Sequence, residues 1–122
     1  MNIGEIAELV EGKILSICNK DLEVRGAFAG DLMSDVLATI KPEAILITAL
    51  NNPQIIRTAL IADARLVILA RGKLPSLDMI ELSNSEGMPL IISPLGLFEL
   101  SARLAENGII SYEDDFDLSK CS

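Results

Sequence analysis

Apolar residues along the chain fall into two kinds of run, some spaced as on one face of a helix and others unbroken. Ile3, Ile6, Ala7, Leu9 and Val10 have helical spacing and stop at Gly12, which predicts a first helix ended by a glycine. Lys13 to Cys18 is a short apolar run suited to a strand, Asn19-Lys20-Asp21 reads as a turn, and Glu23 to Ala29 suggests a second strand. Gly30-Asp31 then opens a helix that runs to Ile40. Asp31 is placed to cap it, and Leu32, Met33, Val36, Leu37 and Ile40 form its buried face.

Beyond Lys41-Pro42 the pattern becomes regular. Ala44 to Thr48, Leu66 to Ala70 and Pro89 to Ser93 are unbroken apolar runs, each followed by a helix-length segment, over 53–63, 76–86 and 95–106. Non-alternating apolar strands separated by helices indicate a parallel sheet covered on both faces. Asn52-Pro53 and Ser93-Pro94 each set a capping residue before a proline, which suits a helix start. Gly87 and Gly108 are placed to end the last two helices. The expected architecture is α/β, a three-layer α/β/α domain with a mostly parallel central sheet over residues 1–110. Residues 111–122 form an acidic C-terminal tail with only Tyr112, Phe116 and Leu118 as apolar anchors, read either as mobile or as docked on a partner.

Composition narrows the function more than the fold. Ten Lys and Arg against eighteen Asp and Glu leave a net charge of −8, and aromatic residues are 3% of the chain with no Trp. Nucleic acid is disfavoured twice over: the counterion-release term is lost, and no set of rings is available for base stacking. The chain has no His and two Cys, so the commonest general base and metal ligand is missing. Cys18 and Cys121 lack the spacing or number for a zinc or iron–sulfur site, and no metal or cofactor is expected. Cys18 reads as a small core residue, and Cys121 as a free thiol of a reducing cytoplasm. Met1 to Glu11 carries no base and so does not read as a signal peptide. No apolar run is long enough to span a membrane.

The order of several short motifs resembles the DRTGG domain family, and more closely its short stand-alone members. Gly26-Ala-Phe-Ala-Gly-Asp-Leu-Met-Ser-Asp-Val-Leu37 leads to Ile47-Thr48, then to Asn52-Pro53 with Ile55-Ile56. The series continues through Val67-Ile-Leu69, Gly72, Pro75, Gly87-Met-Pro-Leu-Ile91 and Phe98-Glu99, spanning about residues 3–110. The resemblance implies a fold like the N-terminal domain of HPr kinase/phosphorylase, with no catalytic centre of its own. It also implies a setting among redox or hydrogenase complexes, or beside metabolic enzymes. The chain departs from the name-giving motif. Asn51-Asn52 stand at the Asp-Arg positions and Ala70-Arg71-Gly72 at the Thr-Gly-Gly positions, so charge pairing between those loops is not carried over.

No phosphate loop is present, since Gly12-Lys13 and Gly72-Lys73 are followed by Ile14 and Leu74, and no Ser-His-Asp set can exist. We therefore read the chain as a non-enzyme. Topology supplies the best candidate ligand site, because open parallel sheets bind beyond the carboxyl ends of their strands. Those ends carry Thr48, Asn51 and Asn52, then Arg71, Gly72 and Lys73, then Ser93. Two cations beside three helix starts could hold a phosphate or carboxylate. The plainer alternative is that Asn52 and Ser93 cap helices while Arg71 and Lys73 are solvated. Asp31 and Asp35 could pair on one helix face, but a cap and a dipole complement explain them as well. Met33, Met79 and Met88 read as core filler, and Arg57 with Arg65 as a solvated face. Two readings follow. One is a non-catalytic regulatory or interaction module, expected as a homodimer, that docks on a larger protein or enzyme complex. The other is a sensor of a phosphate- or carboxylate-bearing metabolite at the strand ends.

Overall fold

Residues along the two central strands alternate between sheet faces, yet every one of them is apolar or buried. This is what helices on both sides require. The computed structural model describes residues 1–115 and 117–120. Its elements begin with α1 (Ile3–Leu9), β1 (Lys13–Ile14), β2 (Gly26–Ala29), α2 (Met33–Thr39), β3 (Ile45–Thr48) and α3 (Gln54–Ile61). They continue with β4 (Leu66–Leu69), α4 (Leu77–Glu86), β5 (Leu90–Ile92), α5 (Leu97–Glu106), β6 (Ile110–Ser111) and a 3-10 turn at Leu118–Lys120. The six strands form one sheet in the order β1-β5-β4-β3-β2-β6. All neighbours are parallel except β1 with β5. The expected three-layer architecture is observed.

Each layer has its own core. Val36 of α2, Ile55, Ile56 and Ala59 of α3 and Met79 of α4 pack with Leu46, Val67, Leu69 and Leu90 on one side of the sheet. Ile3 and Ile6 of α1 and Leu100 and Leu104 of α5 pack with Ile45, Ile47, Ile68 and Ile91 on the other. Met79 and Met88 are buried and Met33 is packed against the first cluster, which matches their reading as filler. Among the described residues no helix is long and apolar enough to cross a membrane.

Several local expectations are corrected by tertiary contacts. The run from Lys13 to Cys18 pairs as a strand only at Lys13 and Ile14. Past Leu15, side chains replace the ladder: Ser16 Oγ accepts from Leu90 N at 2.8 Å, and Asn84 Oδ1 accepts from Ile17 N at 2.8 Å. Cys18 is half-buried against the α1–α5 core, where burial raises its thiol pKa against an opposing pull from Lys20. A thiol held protonated in this way is a poor nucleophile. Cys121 lies outside the described residues, as does Phe116. Strand β2 is shorter than expected because Val24 N bonds to Met1 O and Asn2 bridges Glu23. In α2, Val36 is buried and Met33 and Ile40 are packed, but Leu32 and Leu37 are exposed. Arg65 is no solvated cation, since it pairs with Glu43 at 2.8 Å and donates to Glu23 O.

Gly12 serves a different purpose from the expected helix stop. The left-handed residue after α1 is Glu11, with φ 55°. A Cβ on Gly12 would stand 2.6 Å from Ile91 Cγ2 and 2.9 Å from Ile92 O, so close approach to β5 is what excludes a side chain. Gly12→Ala is expected to cost about 1–3 kcal/mol by overpacking, read as a lower midpoint in urea. Gly87 and Gly108 do take the expected left-handed conformation, at φ 70° and 92°. The start of α1 carries a reciprocal capping box between Asn2 and Glu5, a pattern present in the sequence but not singled out above.

The acidic segment does not separate at residue 111. Ser111 belongs to β6, Tyr112 N donates to Ala27 O, Lys41 N donates to Tyr112 O, and Asp114 N donates to Thr39 O. The Tyr112 ring lies where a Cβ on Gly26 would have to be. Residues 111–114 are therefore tied to β2 and to the end of α2.

Candidate functional site at the strand ends

Strands β2, β3, β4 and β5 run outward in order, with α2, α3 and α4 all on one face, and the chain then crosses to the opposite face through α5. The loops after β4 and β5 therefore leave adjacent strands towards opposite faces. That is the position at which parallel sheets open a crevice. Here the crevice is closed by main chain. Arg71 N donates to Leu95 O at 2.7 Å and Gly72 N donates to Ser93 O at 2.6 Å.

Closure needs two consecutive left-handed residues, Arg71 at φ 69° and Gly72 at φ 63°. At Gly72 the demand is conformational, since a Cβ would only touch Pro94 Cα at 3.6 Å. Arg71 has no such freedom, and its conformation costs about 1–2 kcal/mol relative to a right-handed one. Arg71→Gly is expected to raise stability by about 1 kcal/mol, measurable by urea unfolding. An unchanged midpoint would show that the guanidinium offsets the strain with contacts of its own.

The other predicted site residues lie at the same end of the sheet, but most are occupied in holding loops together. Thr48 is buried, and its hydroxyl donates to Asp31 Oδ1 at 2.9 Å while accepting from Leu50 N. The same Asp31 oxygen accepts from Ala49 N at 2.8 Å. Asp31 thus ties the β2–α2 loop to the end of β3 and is not the cap of α2, whose N-cap is Leu32 with no side-chain bond. Asp35 does fall in the first turn of α2, as expected for a dipole complement. Asn51 Nδ2 donates to Leu74 O, and Asn52 Oδ1 accepts from Gln54 N, one residue ahead of the N-cap Pro53. Ser93 is buried, donates to Val10 O at 2.7 Å and accepts from Leu95 N. Helix α5 begins later, with Gly96 as its N-cap, so Ser93 supports the loop instead of capping the helix.

Arg71 and Lys73 are what this network leaves outside. Both are exposed, and neither forms an ion pair among the described residues, although Lys73 Nζ lies 3.4 Å from Ala49 O. Arg103, by contrast, is held by Glu99 and Glu11, whose hydrogen bonds raise its pKa. No buried side-chain polar atom among the described residues lacks a partner. Three leucines on the loops and helix start at this end of the sheet are also exposed. Leu32 after β2 and Leu74 and Leu77 after β4 are 67%, 75% and 76% exposed. Sequence reasoning missed these three. Leu32 was counted as buried, and a single leucine in a loop carries no periodicity that would reveal its direction.

Comparison with known proteins places the arrangement. A crystal structure of the CBS and DRTGG domains of the regulatory region of Clostridium perfringens pyrophosphatase, complexed with the activator diadenosine tetraphosphate, has the same fold. Its TM-score is 0.72 at 18% sequence identity, with 95% of this chain and 51% of that chain covered, so this chain spans about half the length of that one. No curated protein matches the chain. The family model for the DRTGG domain matches residues 5–107, a span that contains the loops after β2, β3, β4 and β5. The chain belongs to the DRTGG domain family.

Proposed function

We propose that this protein is a non-catalytic regulatory module that acts from a reducing cytoplasm by docking its strand-end face on a larger protein or enzyme complex. Redox complexes and metabolic enzymes are the first partners to test. The observation that carries this reading is the joining of the strand-end loops by hydrogen bonds, with Leu32, Leu74 and Leu77 exposed at the same end of the sheet as Arg71 and Lys73. A surface of apolar side chains with a few cations suits protein contact, where such residues cluster at the centre of the interface. Family membership and a fold shared with a pyrophosphatase's regulatory region support a regulatory role.

The sensor reading has one specific support, the two cations that form no ion pair among the described residues, at a face whose counterpart belongs to a region crystallised with a nucleotide activator. Thermal melting against nucleotides, phosphorylated metabolites and organic acids separates the two. A ligand at about 100 times its Kd would stabilise the protein by roughly 2.7 kcal/mol, a shift of many degrees in a domain this size. We expect a flat panel. A shift lost in the Arg71→Ala/Lys73→Ala double variant would replace the docking reading with the sensor. That variant itself should change stability by less than about 0.5 kcal/mol, since both side chains are exposed. Affinity capture with the native chain and with Leu74→Asp/Leu77→Asp then tests the docking face. A partner retained by both would rule that face out.

A further inference from the structure

We infer that two copies of this chain associate through α5, each inserting Phe98 into an apolar cavity of the other. Phe98 is 87% exposed, an unusual position for one of only three phenylalanines in the chain. On the same helix, one to two turns later, Leu104 and Ala105 line a mainly apolar cavity of about 200 Å³ together with Ala27, Ala29, Ile47 and Ile109, while Ser101, Ser111 and Glu113 supply its polar lining. The cavity exists because β2 presents only alanines on this face, and α5 offers small side chains above them. A phenyl ring fits a space of that size.

Spacing on the helix decides the occupant. Phe98, Ser101, Ala102 and Ala105 recur at i, i+3, i+4 and i+7, so they form one stripe along α5. Phe98 and Ala105 are seven residues apart, roughly 10 Å along the axis. If two α5 helices pack antiparallel about a two-fold axis between Ser101 and Ala102, residue 98 of each copy faces residue 105 of the other. The aromatic side chain of one copy then stands over the cavity mouth of its partner, twice, as an isologous contact demands. Ser101 and Ala102 at the axis allow close approach of the helices. Glu99, Arg103 and Glu106 lie off this stripe, and the first two are engaged with one another while Arg103 also holds Glu11. No like charges are therefore pressed together at the axis. Ile110, 60% exposed at the cavity rim, extends the apolar contact.

This interface is built on α5, on the sheet face opposite to α2, α3 and α4. The test is the solution mass of the full chain by light scattering or sedimentation equilibrium, with three variants beside it. The native protein should have twice the 13.1 kDa chain mass at micromolar concentration. Phe98→Asp should halve that mass without loss of the folded circular dichroism spectrum. Ala102→Cys should form an intermolecular disulfide on mild oxidation, because the two positions meet across the axis. Leu74→Asp/Leu77→Asp should leave the mass doubled. A monomeric native chain, or a dimer that survives Phe98→Asp, would overturn the inference. So would a mass that falls only in the Leu74→Asp/Leu77→Asp variant, which would place the contact between copies at the strand-end face. An α5 dimer that forms while partner capture fails would sink the docking reading alone.

Discussion

Ile68→Ala should lower the unfolding free energy by about 2–5 kcal/mol. Ile68 sits in β4 between β3 and β5, with hydrogen-bonded neighbours on both sides, and its side chain is fully buried in the α1–α5 core. Ile6, Leu100 and Leu104 belong to rigid helices packed on the same sheet face, so the site can collapse only partly around a missing side chain. In a domain of 122 residues this corresponds to a fall in Tm of roughly 8–20 °C. Urea unfolding should show a lower midpoint with an unchanged slope. A cost below about 1 kcal/mol would mean that β4 is not a central, doubly covered strand.

The second large effect is expected at Asp31. Removing its carboxylate by Asp31→Ala leaves the buried Thr48 hydroxyl and the Ala49 N–H without their acceptor. Each such loss costs about 1–3 kcal/mol when the group cannot reach water. Both bonds converge on one carboxylate oxygen, so Asp31→Asn, which retains a carbonyl oxygen there, should restore most of the stability. A double-mutant cycle with Thr48→Val distinguishes this role from helix capping. Coupling of at least about 0.5 kcal/mol is expected for groups that share a hydrogen bond. An additive cycle would return Asp31 to the cap of α2. The consequence for function is positional, because this bond sets the end of β3 against the loop that carries Leu32.

How much of the site was legible follows from the same residues. The seven strand-end positions could be placed at one end of the sheet because strand polarity follows from the order of apolar runs and helices. Their roles could not. Asp31 and Ser93 both precede a helix, and a local reading makes each a cap, yet their partners are Thr48 and Val10, distant in the chain. Gly12 looked like a helix stop, but its constraint comes from Ile91 and Ile92 across the sheet. Arg71 gave no sign of a left-handed backbone, since glycine, asparagine and aspartate are the residues that advertise one.

Local patterns along the chain were enough to set the layer architecture, the three central strands, the helices that follow them and the end of the sheet where a functional face would lie. Those features depend on hydrophobic periodicity and on helix and turn residues, which act over a few positions. Long-range contacts alone join the loops after β4 and β5, make the acidic segment begin by extending the sheet, and leave Phe98 exposed on a helix whose later turns line a cavity. Each of these is set by hydrogen bonds or packing between segments far apart in the chain, and such pairings leave no local pattern to read.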